Sequence, residues 1–264
     1  MPNLYLKSGF IMALLIGLLT SCNNMPIEKD GMVLIKGNAE IKDFWMDVSP
    51  VTVTQFREFV EKTHFKTQAE IFGNAGIFDF KTGEWVLIDG ANWEYPFGKN
   101  EPKSAPNHPV TQVSWNDAIA YCKWAKKRLP TSKEFLLAQK NGNENEDQTY
   151  TWGENYKEGN QYKANFWQGN FPLKNTIEDG FLTTSPVGYF GKNKLNLVDI
   201  EGNVWQWCSD DSKEKPNEKN QRGGSFLCDP MVCHGFKTGG ISTCTAETSL
   251  CHTGFRCVRK ANED

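Results

Sequence analysis

The sequence predicts a single α+β domain that is poor in regular structure. Three observations carry that expectation. Twenty-three glycines, 12 prolines and nine tryptophans in 264 residues describe ordered loops pinned by aromatic rings. Three short segments open with helix-start signals, and only a few short apolar runs have the character of strands.

At the amino terminus, Lys7 precedes an apolar run from Phe10 to Leu19 that ends in Leu19-Thr20-Ser21-Cys22, the pattern of an export signal. The run is too short to stay in a bilayer as a spanning helix. A small residue directly before a cysteine resembles the bacterial lipobox. That implies a signal peptide over residues 1–21, cleavage before Cys22, and a diacylglycerol on its thiol. An ordinary cleaved signal with an incidental cysteine is the alternative. Residues 22–31 then read as a lipidated tether, since Asn23 to Asp30 is polar without an apolar period. Residues 32–260 read as the folded domain, exported and held on the periplasmic or cell-surface side, touching the membrane through the Cys22 lipid only.

Within the domain, Met32 to Ile35 is the first expected strand. A helix is expected from Thr52, whose side chain can cap an apolar 3.6-residue pattern through Val60, with Glu58 placed four before Lys62. Ser114 with Asp117 forms a capping box for a second helix that places Ala118, Tyr121, Cys122 and Ala125 on one face. Thr131 with Glu134, after Pro130, opens a third, with Phe135 and Ala138 inward. Strands are expected near Thr184 to Val187 and over Gly254 to Val258, the latter closing the domain. Asn141 to Gln148 and Lys213 to Gln221 read as polar, solvated loops.

A net charge of −3 without a basic cluster argues against a nucleic-acid partner. Eight cysteines suit an oxidising compartment. With Cys22 set aside their number is odd, so at least one thiol stays unpaired, binds metal or bridges to another chain. Cys228 and Cys233 lie in Gly223-Gly224-Ser225-Phe226-Leu227-Cys228-Asp229-Pro230-Met231-Val232-Cys233, where glycines let the backbone approach a ligand closely. Two thiols this close are by default a small-loop disulfide. They also form a soft, low-coordinate set suited to Cu(I), or with His234 a three-ligand set suited to zinc.

A run of motifs resembles the formylglycine-generating enzyme (sulfatase-modifying factor) family. They are Gly90-Ala91-Asn92-Trp93, His108-Pro109-Val110, Val113 to Ala118, Lys127-Arg128-Leu129-Pro130-Thr131, Ala164 to Gly169, Glu178 to Phe181, Gly202 to Trp205, Arg222 to Ser225 and Gly254 to Cys257. They cover nearly the whole mature chain in order. The Ser-Trp-Asn-Asp-Ala and Arg-Leu-Pro-Thr elements mark the wider superfamily, which includes non-catalytic members and sulfoxide synthases. The Ala-Asn-x-Trp-Gln-Gly stretch and the cysteine pair are narrower.

The resemblance implies a formylglycine-generating-enzyme fold with a C-type-lectin-like core. It implies copper between Cys228 and Cys233, a substrate cysteine thiol joining it, and a dioxygen pocket organised by Ser225 and lined by Trp205. The product is formylglycine, made from cysteine in a sulfatase-type Cys-x-Pro-x-Arg protein. By the same resemblance Cys122 bridges Cys257. Cys244 and Cys251 can pair with each other, which leaves Cys208 as a buried odd thiol. One calcium is implied at Asn165, Phe166, Asp179 and Phe181, and a second at Asp199, Gly202, Val204 and Gln206. At the second, Gln206 stands where the family usually has glutamate. Other departures are the short connection from Gly37 to Phe44, and Asp229-Pro230-Met231 and His234 to Gly240 in place of basic and polar residues. Asp229 in the groove would favour a more basic partner. The competing expectation is a non-catalytic, lipid-anchored module that binds protein or glycan on the same scaffold.

Overall fold

Among the described residues, four helices start where side chains satisfy their first backbone N–H groups. The computed structural model describes residues 26–142 and 148–262. The signal segment, Cys22 and residues 143–147 of the loop expected before Gln148 lie outside the described residues. In helix α1 (Val53–Thr63), the Thr52 hydroxyl accepts from Gln55 N while the Gln55 side chain accepts from Thr52 N. Lys62 pairs with Glu58 as expected. Helix α2 (Gln68–Phe72) is an addition to the three expected helices. Its Thr67–Glu70 box is legible, but only Ala69 is buried, so no apolar period accompanies it. Helix α3 (Trp115–Trp124) has the expected Ser114–Asp117 box and buries Ala118, Tyr121 and Cys122. In helix α4 (Ser132–Gly142), Thr131 and Glu134 exchange hydrogen bonds and Arg128 grips both Glu134 oxygens at 2.6 and 2.7 Å.

Removing the Ser114 hydroxyl deletes a fully buried cap. Ser114→Ala is expected to lower unfolding free energy by about 1 kcal/mol, read as a reduced urea midpoint at unchanged slope.

Two four-stranded sheets frame the domain. The first contains β1 (Glu28–Lys29), β2 (Met32–Ile35), β3 (Phe44–Asp47) and β14 (Val258–Lys260) in the order β1-β2-β3-β14. The fold therefore begins by Glu28, inside the stretch read as tether. The second sheet contains β10 (Trp205–Asp211), β11 (Glu218–Arg222), β12 (Ile241–Thr245) and β13 (Thr253–Gly254), in the order β12-β11-β10-β13. Hairpins β4 (Asn74–Asp79) with β5 (Glu84–Asp89), β6 (Lys157–Glu158) with β7 (Gln161–Tyr162), and β8 (Gly169–Asn170) with β9 (Lys174–Asn175) complete the strands among the described residues.

Three expectations change. Glu218–Arg222 is an interior strand of the second sheet rather than part of a solvated loop, and it buries the polar Asn220 and Gln221. Thr184 to Val187 is not a strand: Ser185 N donates to the Asn203 side chain and Val187 N to the Asn107 carbonyl, and Pro186 has no N–H to give a ladder. The expected closing strand is split. Gly254 pairs with β10 and Val258 with β3, while Phe255 to Cys257 cross between the sheets.

That crossing ties the two main core clusters together. One packs α1 and α3 with Trp93, Trp207, Phe255 and Cys257. The other packs the first sheet and α4 with Leu197, Ile200 and Cys208. Trp207 and Cys208 point to opposite clusters, as neighbours on a strand must. Each large ring so buried contributes about 1.5 to 3 kcal/mol. A third cluster, which includes Tyr150, Phe166, Trp205 and Phe236, carries the Cys228 thiol.

Candidate active site and cation sites

The segment after β11 turns sharply at Gly223 and Gly224. Gly224 has φ of +73°, and a Cβ there would lie 2.4 Å from Phe236 N, so only glycine fits. The chain then places Ser225 fully buried, with its N–H 3.3 Å and its hydroxyl 3.9 Å from Cys228 Sγ. Phe226 N donates to Asn203 O, and Cys228 O accepts from Trp167 N, which fixes this turn from both ends.

Asp229 shapes the next turn. Its carboxylate accepts from Met231 N at 2.7 Å and Val232 N at 3.0 Å, and its carbonyl accepts from Cys233 N and His234 N. The carboxylate is thus consumed inside its own turn and is 5% exposed, which overturns the expectation that it meets a basic partner. Met231 and Val232, 91% and 65% exposed, form the outer surface instead.

This turn brings the Cys233 thiol back to Cys228. A Cβ on Gly235 would lie 2.4 Å from the Trp205 ring and 3.0 Å from Cys228 Sγ. Trp205, Ser225, Cys228 and Cys233 therefore share one site around a backbone position that only glycine can occupy. Cys228 is buried and Cys233 exposed. The hydrogen bond from the Cys228 thiol holds the Cys233 thiol below its ordinary range, aided by backbone N–H groups, while burial pushes Cys228 well up. His234 turns away to Tyr150, whose hydroxyl lies 2.6 Å from its Nε2. Among the described residues no three His, Cys, Asp or Glu side chains are gathered as a metal site, so the zinc set of Cys228, Cys233 and His234 is not assembled.

An open groove of about 380 Å³ is lined by Gly76, Trp85, Val86, Leu87, Cys244, Thr248 and Leu250, none of them a residue of the thiol site. The Trp85 ring sits 4.9 Å from the His252 imidazole, and the His252 carbonyl accepts from Trp205 N.

The other thiols are placed as follows. Cys122 and Cys257 are buried with sulfurs 3.1 Å apart. Cys244 packs against the α1/α3 cluster and Cys251 against Phe78 and Trp167, so that pair is not brought together. Cys208 is buried, and burial raises its thiol far above the usual range.

The first cation set converges. Asn165, Phe166 and Asp179 are buried, and the Asp179 carboxylate accepts from Phe166 N and Phe181 N. The Asn165 Oδ1 is buried without a hydrogen-bond partner, and Gln168 Nε2 crowds the Phe166 carbonyl. An oxygen left unpaired beside a buried carboxylate fits a hard cation. The second set does not fit. The Gln206 oxygen accepts from Arg256 Nε at 2.6 Å, Asp199 O accepts from Arg256 Nη2 and Gln206 Nε2 at 2.8 and 2.9 Å, and the Asp199 carboxylate takes Gly188 N and Asn203 Nδ2. An internal guanidinium occupies the place expected of calcium.

The sequence pattern of the Sulfatase-modifying factor enzyme 1-like domain matches residues 24–261. The chain belongs to this family. It is 36% identical over 262 residues to the formylglycine-generating enzyme of Bos taurus, spanning 88% of this chain and 69% of that one. It is also 33% identical over 256 residues to a Bos taurus protein named inactive C-alpha-formylglycine-generating enzyme 2, spanning 89% and 83%. Among solved structures, PvdO from Pseudomonas aeruginosa shares the fold with a TM-score of 0.62 at 21% identity, over 83% of this chain and 81% of that one. The family's mixed, loop-rich architecture is therefore the architecture of this chain.

Proposed function

We propose that the chain is a copper- and dioxygen-dependent oxidase that converts a cysteine of an exported, sulfatase-type protein to formylglycine. The observation that carries this reading is that Trp205 and Cys228 close on Gly235, Ser225 holds the Cys228 sulfur and Cys228 bonds Cys233, with one thiol buried and the other exposed and inclined to the thiolate. Two sulfurs held this way match the soft, low-coordinate donor set of Cu(I). Bound there, the ion would supply dioxygen activation and a ligand position for the substrate thiol. The reaction balances as cysteine plus dioxygen plus two electrons and two protons, giving aldehyde, hydrogen sulfide and water, with a thiol reductant as the electron donor.

The residues divide the work. Cys233 faces solvent and receives the substrate from that side. Trp205 and Phe236 close the opposite side and exclude water. The Ser225 N–H and hydroxyl hold the buried sulfur in place. Export and the Cys22 lipid would place this chemistry outside the cytoplasm, and a Cys122–Cys257 disulfide would staple α3 to the last strand.

The test is anaerobic loading of the reduced domain with Cu(I), then air, a thiol reductant and a Cys-x-Pro-x-Arg peptide, followed by mass spectrometry. Loss of the mass expected for thiol-to-aldehyde conversion supports the reading. No Cu(I) binding by the reduced protein overturns it in favour of a non-catalytic binding module, the reading to which the inactive relative lends weight.

We also propose one calcium per chain, at Asn165, Phe166, Asp179 and Phe181. Saturating Ca²⁺ at roughly 100 times its Kd is then expected to add about 2.7 kcal/mol of stability, seen as a raised melting temperature that EGTA reverses. Asp179→Ala is expected to abolish that shift.

A further inference from the structure

We propose that Glu201 is a positioning residue for the thiol site, tying the far end of the Cys233 loop to the wall that holds His234. Glu201 is 3% exposed and lies in the connection before β10. Its Oε1 accepts from Thr238 Oγ1 at 2.8 Å and from Gln139 Nε2 at 3.1 Å, and its Oε2 accepts from Thr151 N at 2.8 Å. Three segments distant in sequence therefore meet on one carboxylate.

Two of those segments bear on the thiols. Thr238 follows Cys233 by five positions, and its own N–H donates to Thr149 O. Thr151 follows Tyr150, which bonds His234 at 2.6 Å and stacks on Phe236 with centroids 5.5 Å apart. Gln139 on α4 completes the clasp, its Oε1 accepting from Gly239 N at 3.3 Å. The loop from Cys228 to Gly240 is thus fixed at its start by Ser225 and Trp167 and at its end by Glu201. Between these anchors the exposed Met231 and Val232 contribute no packing, and Cys233 is held by the Asp229 turn on one side and, on the other, by the His234–Phe236 stretch that Glu201 ties down through Thr238 and Thr151. A buried carboxylate is a costly tether unless fully hydrogen-bonded, and this one accepts three bonds.

The inference rests on the reading of Cys228 and Cys233 as the reactive pair. Its test is therefore the thiol itself, independent of copper. The rate of Cys233 alkylation by iodoacetamide at pH 7 is compared between the full chain and Thr238→Val, with Thr238→Ser as the conservative control and Glu201→Val as the complete deletion. Thr238→Val removes only the loop-side bond, so it stays informative if Glu201→Val fails to fold. The expected result is a several-fold change in alkylation rate and roughly tenfold weaker Cu(I) binding in Thr238→Val, the size seen when supporting bonds behind metal ligands are lost, with Thr238→Ser near wild type. An alkylation rate unchanged in Thr238→Val overturns the proposal and leaves Glu201 a structural group. A wild type that binds no Cu(I) sinks the oxidase reading, and the alkylation comparison still decides the role of Glu201.

Discussion

Serine at either thiol position is expected to abolish aldehyde formation, with kcat/KM falling by roughly three orders of magnitude or more. The two variants should differ in how they fail. Cys228 is buried with Ser225 N–H directed at its sulfur, so a serine oxygen there keeps an acceptor and the fold is retained at small cost. Cys228→Ala, which unlike serine has no donor to offer, should release Cys233. The Cys228 hydrogen bond is the leading reason the Cys233 thiol lies below its ordinary range, and its loss moves that pKa upward. Between pH 6 and 7 the wild type then carries more Cys233 thiolate than Cys228→Ala, and alkylation of Cys233 should be several-fold slower in that variant. The two curves meet above the ordinary thiol pKa, where both are ionised. Coincident alkylation profiles across that range would show that the sulfurs do not communicate. Cys233→Ser leaves a thiol whose ionisation burial opposes, and it should be nearly inert to the reagent.

Much of this site is local in sequence and therefore legible there. Capping boxes act over three residues, so Thr52, Ser114 and Thr131 announce their helices directly, and the glycines before Ser225 announce the turn that presents Cys228. What escaped is set by distant partners. Strand β11 reads as a loop because its side chains are polar, and they are polar because they bond across the sheet and to α4. Asn220 Nδ2 donates to Asp210 and Arg222 Nε to Ser132, each at 2.7 Å. Asp229 reads as a groove charge because nothing local shows that its own turn consumes it. Glu201 gave no signal, since its three donors come from residues 139, 151 and 238. The second cation set fails for the same reason, because the cation that meets Gln206 is supplied by Arg256, far along the chain.

Arg256→Met should be the most damaging single substitution for stability, costing about 3 to 5 kcal/mol, read from a urea midpoint. The side chain is fully buried, and each guanidinium N–H has an acceptor: Nε on Gln206 Oε1, Nη1 on the carbonyls of Asp47 and Val48, and Nη2 on those of Val198 and Asp199. Burial lowers its pKa to about 10, with Asp199 opposing the shift, so the charge persists at neutral pH. One side chain thereby joins the end of β3, the 198–199 connection and strand β10. Methionine fills similar volume but takes the Arg256 donor from the Gln206 amide oxygen and from the carbonyls of Asp47 and Val198, leaves Val48 O and Asp199 O with only Val198 N and Gln206 Nε2, and leaves the Asp199 carboxylate without its cation. Arg256→Lys isolates the geometric part. It keeps the charge but cannot serve five acceptors from one planar fork, so its loss should fall between wild type and methionine. A methionine variant within about 1 kcal/mol of wild type would mean that water or a bound cation reaches these oxygens, and the guanidinium would not be the group that holds the two sheets together.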